Sequence, residues 1–318
     1  MKWKKIGKIF DPTKHTLANN CFEFAQSPQT LVFDNFVRIY FSTRERDKNG
    51  KFLSHISFVD FDKDLKKILK ISDKTVIELG ELGCFDEHGI FPINVLRDND
   101  KILAFTSGWN RKVSVSVDAS IGLAISSDDG LTFTKLGNGP VLTSSLYEPF
   151  LVGDGFVIKE KNTYHMWYVY GSKWITDETE TEPQRIYKIV HAESNDTINW
   201  NRDGKQIITD KLHENECQAL PSVVYFNNKY HMVFCYREAI GFRKIKGRGY
   251  RIGYAYSDDL LNWTRDDTIL GLNPADDENW DSDMMCYPHI FKCDDKVYLL
   301  YNGNEFGRFG FGLAVLEK

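Results

Sequence analysis

The sequence predicts an all-β fold, a five-bladed β-propeller with four antiparallel strands in each blade. Three observations support this prediction: aromatic strand-like runs recur at a regular pitch, a proline recurs ahead of them, and a Ser-x-Asp turn recurs after them. Helical spacing of apolar residues is absent from the sequence. A pair of β-sandwiches is the structural alternative, but sandwiches do not repeat at this pitch.

The second strand of each blade is the most regular element of the repeat. It is rich in aromatic and β-branched residues, as strands are. The five copies are VRIYFSTR (37–44), DKILAFTSG (100–108), YHMWYVYG (164–171), YHMVFCYR (230–237) and KVYLLYNGN (296–304).

A short apolar strand precedes each of these runs and is predicted to be the first strand of its blade. Four of the five begin at a proline, namely Pro28, Pro92, Pro221 and Pro288, and Gly155 takes this place in the third. Proline suits the first residue of a strand, where no ladder donor is needed.

The predicted blades span about 22–80, 86–143, 148–209, 216–270 and 283–318, within one domain of residues 1–318. The last blade stops after its third strand. Residues 1–10 are predicted to supply the fourth, because Trp3 and Ile9 have the same separation as Trp263 and Ile269. Such closure removes exposed sheet edges.

The Ser-x-Asp turn joins the third and fourth strands of a blade. Its copies are SDDGLTF (127–133), SNDTINW (194–200) and SDDLLNW (257–263), each ending in an aromatic residue. Short polar side chains set such turns by bonding to their own backbone, and the aromatic residue is expected to pack between blades. The first copy also matches the Asp-box turn of sialidases, which is structural and does not indicate sialidase activity.

Composition excludes several classes of function. The net charge of −5 favours neither nucleic acid nor anionic membranes as partners. No apolar run is long enough for a membrane span, and the N-terminus lacks the apolar region of a signal peptide. The six cysteines show no CxxC spacing and are expected to be reduced, which together predicts a cytoplasmic protein.

The loops that enter the first strands carry the candidate catalytic residues. Because strands alternate in direction, these loops share one face of the propeller with the loops that follow the second strands. The predicted catalytic carboxylates there are Asp86, Glu148, Asp154 and Glu216, and the predicted substrate-binding residues are Gln26, His88 and Gln218. For any single one of them, a solvated loop charge or a satisfied turn is the alternative.

Positive charge gathers in the loops on the same face. Arg44 and Arg237 end equivalent second strands, and Lys173 and further arginines lie close in sequence. Arginine forks suit carboxylate or phosphate, and aromatic faces such as Trp174 suit sugar rings. With His289 and Asn304, these residues predict a site for an anionic or phosphate-bearing sugar. A merely solvated surface is the alternative.

Five blades of short strands, a proline in the first strand and the run YHMWYVYGSKW resemble the five-bladed propeller glycosidases of glycoside hydrolase families 43, 32, 117 and 130. The resemblance covers nearly the whole chain. It implies a modulating acid at Asp154, but Ser27 stands where family 43 has its base and Ala219 where it has its general acid, so two of the three carboxylates are absent from their expected places. Glu216 or Glu148 could supply a carboxylate from a shifted loop. His289 matches a histidine that family 43 uses near an axial ion, so the resemblance implies a Ca²⁺ or Na⁺ ion there, and no other metal or cofactor is predicted.

The runs YHMWYVYGSKW and YNGNEFGRFGFGLA also look like those of propeller proteins encoded with bacterial capsule and lipopolysaccharide genes. The leading prediction is a carbohydrate-active propeller that hydrolyses or transfers an anionic or phosphorylated sugar in surface-polysaccharide synthesis. Two alternatives stay open. One is a glycan-binding propeller without catalysis, and the other is a phosphorylase, in which phosphate replaces the activated water and one acidic residue suffices.

Overall fold

The computed structural model describes residues 1–276 and 278–317 and is built almost entirely of β-strands. One short helix, α1 (Asp267–Leu270), and two 3-10 turns, Pro12–Lys14 and Asn304–Gly307, lie between strands. The strands in chain order are β1 (Trp3–Phe10), β2 (Glu23–Val32), β3 (Phe36–Arg46), β4 (Phe52–Asp62), β5 (Ile68–Ile71), β6 (Gly89–Asp98), β7 (Lys101–Arg111), β8 (Val117–Ser126), β9 (Thr134–Lys135), β10 (Val152–Glu160), β11 (Thr163–Ile175), β12 (Gln184–Ser194), β13 (Asn201–Arg202), β14 (Cys217–Phe226), β15 (Lys229–Arg237), β16 (Arg251–Ser257), β17 (Thr264–Arg265), β18 (Cys286–Cys293), β19 (Lys296–Asn302) and β20 (Phe311–Leu316).

The strands pair with their sequence neighbours in antiparallel order. Three sheets have four strands each, in the orders β10-β11-β12-β13, β14-β15-β16-β17 and β1-β20-β19-β18. The remaining strands form one larger sheet. It consists of two antiparallel groups, β2 to β5 and β6 to β9, which a single parallel bridge between Ser54 and Gly89 joins.

The first strands of the five groups meet at the centre of the molecule. Each of β2, β6, β10, β14 and β18 contacts the next, and β18 contacts β2 again. Apolar side chains fill the space between successive sheets, and Trp167 of β11 and Phe234 of β15, both fully buried, lie in one such cluster. Burial between sheets holds the groups together, because each sheet has two apolar faces to cover.

The N-terminal strand pairs with the C-terminal one, as the sequence predicts. β1 runs antiparallel to β20, with Trp3 opposite Leu316 and Phe10 opposite Phe311. Trp3 and Phe10 are buried, with 9% and 2% of their surface exposed. The two ends of the chain therefore stabilise one sheet.

Deletion of residues 1–10 is expected to lower the melting temperature by more than roughly 10 °C, because losing two large buried aromatic side chains costs about 3–5 kcal/mol each. Thermal unfolding followed by circular dichroism measures this. The matched control is Ile6→Ser on the same strand, where the side chain is 52% exposed and should tolerate a polar replacement. Equal melting curves for the deletion and the full chain would contradict the structural role of β1.

The geometry of the first strands departs from the sequence prediction. The prolines do not begin these strands but lie inside them, within a register shift and directly before the pairing with the second strand resumes. Such a β-bulge leaves one residue unpaired, so the missing N–H of proline costs no ladder bond. The third unit has the same shift between Gly153 and Phe156 without a proline.

The Ser-x-Asp turns have the predicted structural role, with one correction in register. In the second and third copies the serine Oγ accepts the backbone N–H of the aspartate, and Asp196 and Asp259 each accept two further backbone N–H groups. These bonds hold the pKa of Asp259 down, at about 2. In the first copy the bonded pair is Ser126 and Asp128, one residue earlier than the predicted pair.

The aromatic residue that ends each turn packs against the second strand of the preceding group. Trp263 lies edge-on to Trp167, with 5.7 Å between ring centroids, and Trp200 lies edge-on to Phe105 at 5.9 Å. Phe133 makes the same contact with Tyr40 at 5.8 Å. The repeated turn therefore stabilises the contact between neighbouring groups.

All six cysteines are free thiols, and all but the partly exposed Cys84 are buried. Within the described ranges, the chain has no helix long and apolar enough to cross a membrane.

Candidate active site

The bulges bring one residue from each first strand together at the centre. These five residues are Ser27, Phe91, Asp154, Leu220 and Tyr287, and four of them have φ between 52° and 55°, in the left-handed region. A non-glycine residue there is strained unless its surroundings fix it, and such strain clusters at functional sites. Contacts between groups show the convergence: Phe91 packs edge-on to Tyr287 at 5.3 Å, and the Leu220 N–H donates to Asp154 Oδ2 at 3.3 Å.

Asp154 is the one carboxylate among the five bulge residues. It is partly exposed, but protein surrounds it on most sides. Burial raises its pKa to about 7, against the opposing effects of the Leu220 N–H and the positive charge of Arg185. A carboxyl group that keeps its proton near neutral pH can serve as a general acid.

Arg237 lies in an enclosure of aromatic side chains, near the rings of Tyr187, Phe242 and Tyr250. Only 2% of its surface is exposed, and its guanidinium lies 3.6 Å above the ring centre of Phe242. It donates to Tyr187 Oη at 2.8 Å and to the carbonyl of Glu238 at 2.7 Å, and its Nε has no hydrogen-bond partner. Tyr187 in turn is hydrogen bonded to Tyr250.

Three further arginines face the same enclosure. Arg44 lies over the ring of Phe91 at 5.5 Å, and burial lowers its pKa to about 10. Burial, and then the nearby charges of Arg237 and Arg185, lower the pKa of Arg243. Within the described residues, none of the four has a carboxylate oxygen within 4 Å of its nitrogens. We refer to Arg44, Arg185, Arg237 and Arg243 as the arginine cluster.

The guanidinium groups of the arginine cluster lie near one another. Like charges in a partly desolvated site repel; within the described residues no carboxylate oxygen lies within 4 Å of these nitrogens, although the charge of Arg185 acts on Asp154. Arginine forks bind phosphate or carboxylate through paired N–H groups, and cation–π contacts with the surrounding rings hold them in position. The site therefore combines one carboxyl group of raised pKa, Asp154, with the guanidinium groups of the arginine cluster.

Two more predicted residues lie at this site. Gln26 Oε1 accepts from Arg44, while its amide donates to the carbonyl of Phe306 at 2.7 Å, so the glutamine orients the guanidinium. Trp174 lies directly opposite Arg185 in the pairing of β11 with β12. It is partly buried and adds an aromatic face beside the arginine cluster.

The structure places the other predicted carboxylates in buried ion pairs away from the centre. Asp86, Glu148 and Glu216 have side chains no more than 1% exposed, and each pairs with a cation on the outermost strand of its own group. The pairs are Asp86–Lys135 at 2.5 Å, Glu148–Arg202 at 2.5 Å, Glu216–Arg265 at 2.6 Å and, in the last group, Asp281–Lys5 at 2.6 Å. Buried in this way, the carboxylates connect the segment ahead of the first strand to the outer strand and do not face the central site.

The same register recurs at all four ion pairs. Each cation lies opposite a buried alanine of the third strand, namely Ala124, Ala192, Ala255 and Ala314. The small side chain leaves room for the long cation to cross the sheet. In the first group the corresponding pair is apolar, Val59 opposite Ile71.

The remaining predicted substrate-binding residues have partners outside the central site. Gln218 is fully buried and donates to the carbonyl of Ile208 at 3.1 Å, beside Glu216. Lys173 Nζ lies 3.4 Å from Glu214 at the surface. Asn304 Oδ1 accepts the N–H groups of Asp283 and Met284 and so fixes its own loop.

The two predicted histidines are likewise held by neighbouring groups. His289 Nε2 accepts the N–H of Thr30 at 3.2 Å and Nδ1 is 3.0 Å from Ser222 Oγ, so both ring nitrogens are engaged between strands and neither is directed at an axial ion. Burial lowers its pKa to about 3. His88 stacks on Trp109 with 6.0 Å between ring centroids, at the edge of the molecule's second group.

Sequence reasoning missed the aromatic enclosure formed by Phe91, Tyr187, Phe242, Tyr250 and Tyr287. One signal was present: Phe91 and Tyr287 directly precede prolines, at the position that Ser27 and Leu220 occupy in their own groups. Alignment on the prolines alone would have placed Phe91 and Tyr287 at the centre together with Ser27 and Leu220.

The fold is that of the propeller-type glycoside hydrolases and phosphorylases. The structure of the β-1,2-mannobiose phosphorylase from Listeria innocua, in complex with β-1,2-mannobiose, superimposes with a TM-score of 0.71 over 100% of this chain and 97% of that chain, at 12% identity. The structure of a glycoside hydrolase superimposes with a TM-score of 0.73 over 99% of this chain and 91% of that chain, at 16% identity.

Sequence comparison shows the family. The chain is 33% identical over 319 residues to the uncharacterized protein Rv1502 of Mycobacterium tuberculosis (strain ATCC 25618 / H37Rv), covering 100% of both, and it belongs to the same family. It is also 30% identical to the β-1,2-mannobiose phosphorylase of Thermoanaerobacter sp. (strain X514) over 138 residues, 41% of this chain and 44% of that protein. No family model matches the sequence.

Proposed function

We propose that this protein cleaves or transfers glycosidic bonds by attack of a phosphate group, with Asp154 as the general acid and the arginine cluster as the phosphate site. The single observation that carries the proposal is one carboxyl group of raised pKa, on which the charge of Arg185 acts, in the same site as an arginine cluster without carboxylate partners among the described residues. Inverting hydrolysis needs a second carboxylate to activate water. Phosphate is itself a nucleophile and needs no such base.

The reaction balances with these groups alone. A phosphate oxygen forms a bond to the anomeric carbon as the glycosidic C–O bond breaks, and the proton of Asp154 moves to the leaving sugar oxygen. The arginine cluster offsets the charge of the phosphate and holds it in position. Phe91 and Tyr287, at the bulges, supply aromatic faces for a sugar ring.

Incubation with oligosaccharides and inorganic phosphate tests the proposal. The panel includes β-1,2-mannobiose, because a partial relative is named for that reaction. We expect a sugar phosphate as product, formed only when phosphate is present, and release of phosphate in the reverse direction. Equal turnover without phosphate would indicate hydrolysis, and binding without turnover in either direction would indicate a glycan-binding protein.

The architecture and the biological setting are part of the proposal. Five groups of strands in contact around a centre, with a bulge at the same place in each, support a five-bladed propeller closed by β1 in a single domain. The product of the proposed reaction is a sugar phosphate, and the setting we propose for it is surface-polysaccharide synthesis in the cytoplasm.

Arg237→Ala is expected to weaken phosphate binding by about 10- to 150-fold, because a charge-assisted bidentate contact contributes roughly 1.5–3 kcal/mol. Isothermal titration with inorganic phosphate measures the change, which should shrink at high salt. Arg243→Ala is the second variant, since Arg243 is exposed and its loss leaves no buried gap.

The matched control is Arg308→Ala. Arg308 lies on a loop at 43% side-chain exposure and pairs with Glu23 at 2.6 Å, so its charge is already offset. Phosphate affinity that is the same in wild type, Arg237→Ala and Arg243→Ala would mean that the arginine cluster is not an anion site.

A further inference from the structure

Away from the central site, three side chains of types that can bind metal meet on one face of the sheet β10-β11-β12-β13. His165 lies on β11, and His191 and Glu193 lie on the neighbouring β12. His165 pairs directly with Glu193, and His191 is two residues before Glu193 on the same strand. Since side chains alternate along a strand, all three project from the same face.

Their candidate ligand atoms are close together. His165 Nδ1 is 3.1 Å from His191 Nε2 and 3.4 Å from Glu193 Oε1, and the three atoms all lie within 4.8 Å of one another. Nitrogen and oxygen ligands about 2.0–2.2 Å from a tetrahedral Zn²⁺ ion are roughly 3.3–3.5 Å apart. Two of the spacings found here, 3.1 and 3.4 Å, lie close to that value, and the third is no longer than 4.8 Å.

We propose that His165, His191 and Glu193 bind one first-row transition-metal ion, with Zn²⁺ as the best match. Two imidazoles and one carboxylate are a donor set for zinc, whereas Ca²⁺ and Mg²⁺ prefer oxygen ligands. The proposal is independent of the proposed function at the central site.

The three side chains differ in burial: His165 is buried, whereas His191 and Glu193 are partly exposed. Glu193, with 40% of its side chain exposed, leaves a path for the ion and for a water as fourth ligand.

The sheet β14-β15-β16-β17 provides an internal comparison, because its strands are arranged in the same way but lack this set of donor side chains. His231 of β15 is the equivalent of His165, but it pairs with Tyr256, and Tyr254 takes the place of His191. There the histidine Nδ1 is 2.7 Å from Tyr254 Oη and Nε2 is 3.1 Å from the carbonyl of Phe226. Of these two sheets, only β10-β11-β12-β13 has the two histidines and the carboxylate together on adjacent strands.

An ion at this place would join β11 to β12 on the side of the strands that packs beside Trp167, whose ring centre is 5.5 Å from that of His191. Both strands lead to the central site: Trp174 and Arg185 lie further along the same pair. The role expected for the metal is therefore to stiffen the strand pair that carries Arg185, and not to take part in the chemistry.

Titration of the tag-free full chain with Zn²⁺, and with Co²⁺ as a spectroscopic probe, tests the proposal. We expect one ion per chain, a visible absorption band of tetrahedral Co²⁺ that Zn²⁺ abolishes, and a higher melting temperature with Zn²⁺. His191→Ala and Glu193→Gln should each weaken Zn²⁺ binding by more than about 10- to 100-fold, the range already seen for the loss of groups that only orient metal ligands.

His231→Ala is the matched control, because it removes a similarly buried histidine at the equivalent strand position. It should leave the Co²⁺ spectrum and Zn²⁺ affinity unchanged. Glu193→Gln, at a partly exposed position, keeps the test decisive if His191→Ala does not fold. The proposal is overturned if the wild type binds no Zn²⁺, or if wild type, His191→Ala and Glu193→Gln bind it alike, since the ion would then lie elsewhere.

Discussion

Replacing Asp154 with asparagine is expected to lower kcat for phosphorolysis by about 10²–10⁴-fold, the usual contribution of a general acid. Asparagine keeps the size of the side chain and can still accept the N–H of Leu220, but it has no proton to give to the leaving oxygen. Phosphate affinity should change little, because the arginine cluster stays intact. Steady-state kinetics and phosphate titration of the two proteins measure both quantities.

The pH profile provides a second readout of the same substitution. Because burial raises the pKa of Asp154 to about 7, the acid form prevails below that pH, and kcat should fall as the pH rises through about 7. Relative to the asparagine variant, the wild-type fold should also lose stability between pH 3.8 and about 7, since ionising a carboxyl of raised pKa opposes folding. Wild-type kcat in the asparagine variant, or a wild-type profile without this limb, would rule out Asp154 as the acid.

A substrate with an activated leaving group separates catalysis from folding. Aryl glycosides whose phenolate leaves without protonation should be cleaved nearly as fast by the asparagine variant as by the wild type. A variant that has lost activity toward every substrate would instead indicate a damaged site.

Much of the fold could be predicted from the sequence because it depends on local patterns. The aromatic second strands, the Ser-x-Asp turns and the pairing of Trp3 with the C-terminal strand all follow from residue type and spacing. The position of the prolines could not be predicted in this way. Proline is compatible both with the start of a strand and with a bulge, and only the register of the neighbouring strand decides between them.

The site was predicted less well, because a carboxylate in a loop near the centre can face inward or pair with a distant cation. Asp154 and Glu148 are six residues apart in the sequence, yet one lies at the bulge and the other is buried against Arg202. A sequence signal for the second role was present. The outer strands repeat an aromatic residue, one intervening residue and a cation, in Trp3–Lys5, Phe133–Lys135, Trp200–Arg202 and Trp263–Arg265.

The proposed metal site could not be predicted from the sequence, for a related reason. His165 and His191 belong to different strands, and their spacing matches no short metal motif. Pairing of β11 with β12 brings them together, so the strand register had to be known first.

The buried ion pairs differ sharply from the surface ones in their expected energetics. Glu148 is 1% exposed and Arg202 is 16% exposed, whereas Asp203 and Lys205, only a few residues away, are 59% and 81% exposed. Removal of one partner from a buried pair leaves an uncompensated charge and costs about 3–5 kcal/mol, while exposed pairs contribute roughly 0–1 kcal/mol.

Arg202→Met is therefore expected to lower the free energy of unfolding by about 3–5 kcal/mol, because it leaves the Glu148 carboxylate buried with only Tyr168 and Ser145 as hydrogen-bond donors. Adding Glu148→Gln should recover part of this loss, since the amide is neutral and needs no cation. Lys205→Met, the matched control, should change the free energy of unfolding by less than about 1 kcal/mol. Urea unfolding of the four proteins measures these differences.

If Glu148→Gln alone abolished turnover at unchanged stability, Glu148 would be catalytic, as the sequence first indicated, and the ion pair would not be its main role. A purely structural pair requires the opposite result: stability falls, and turnover per folded molecule stays at the wild-type level.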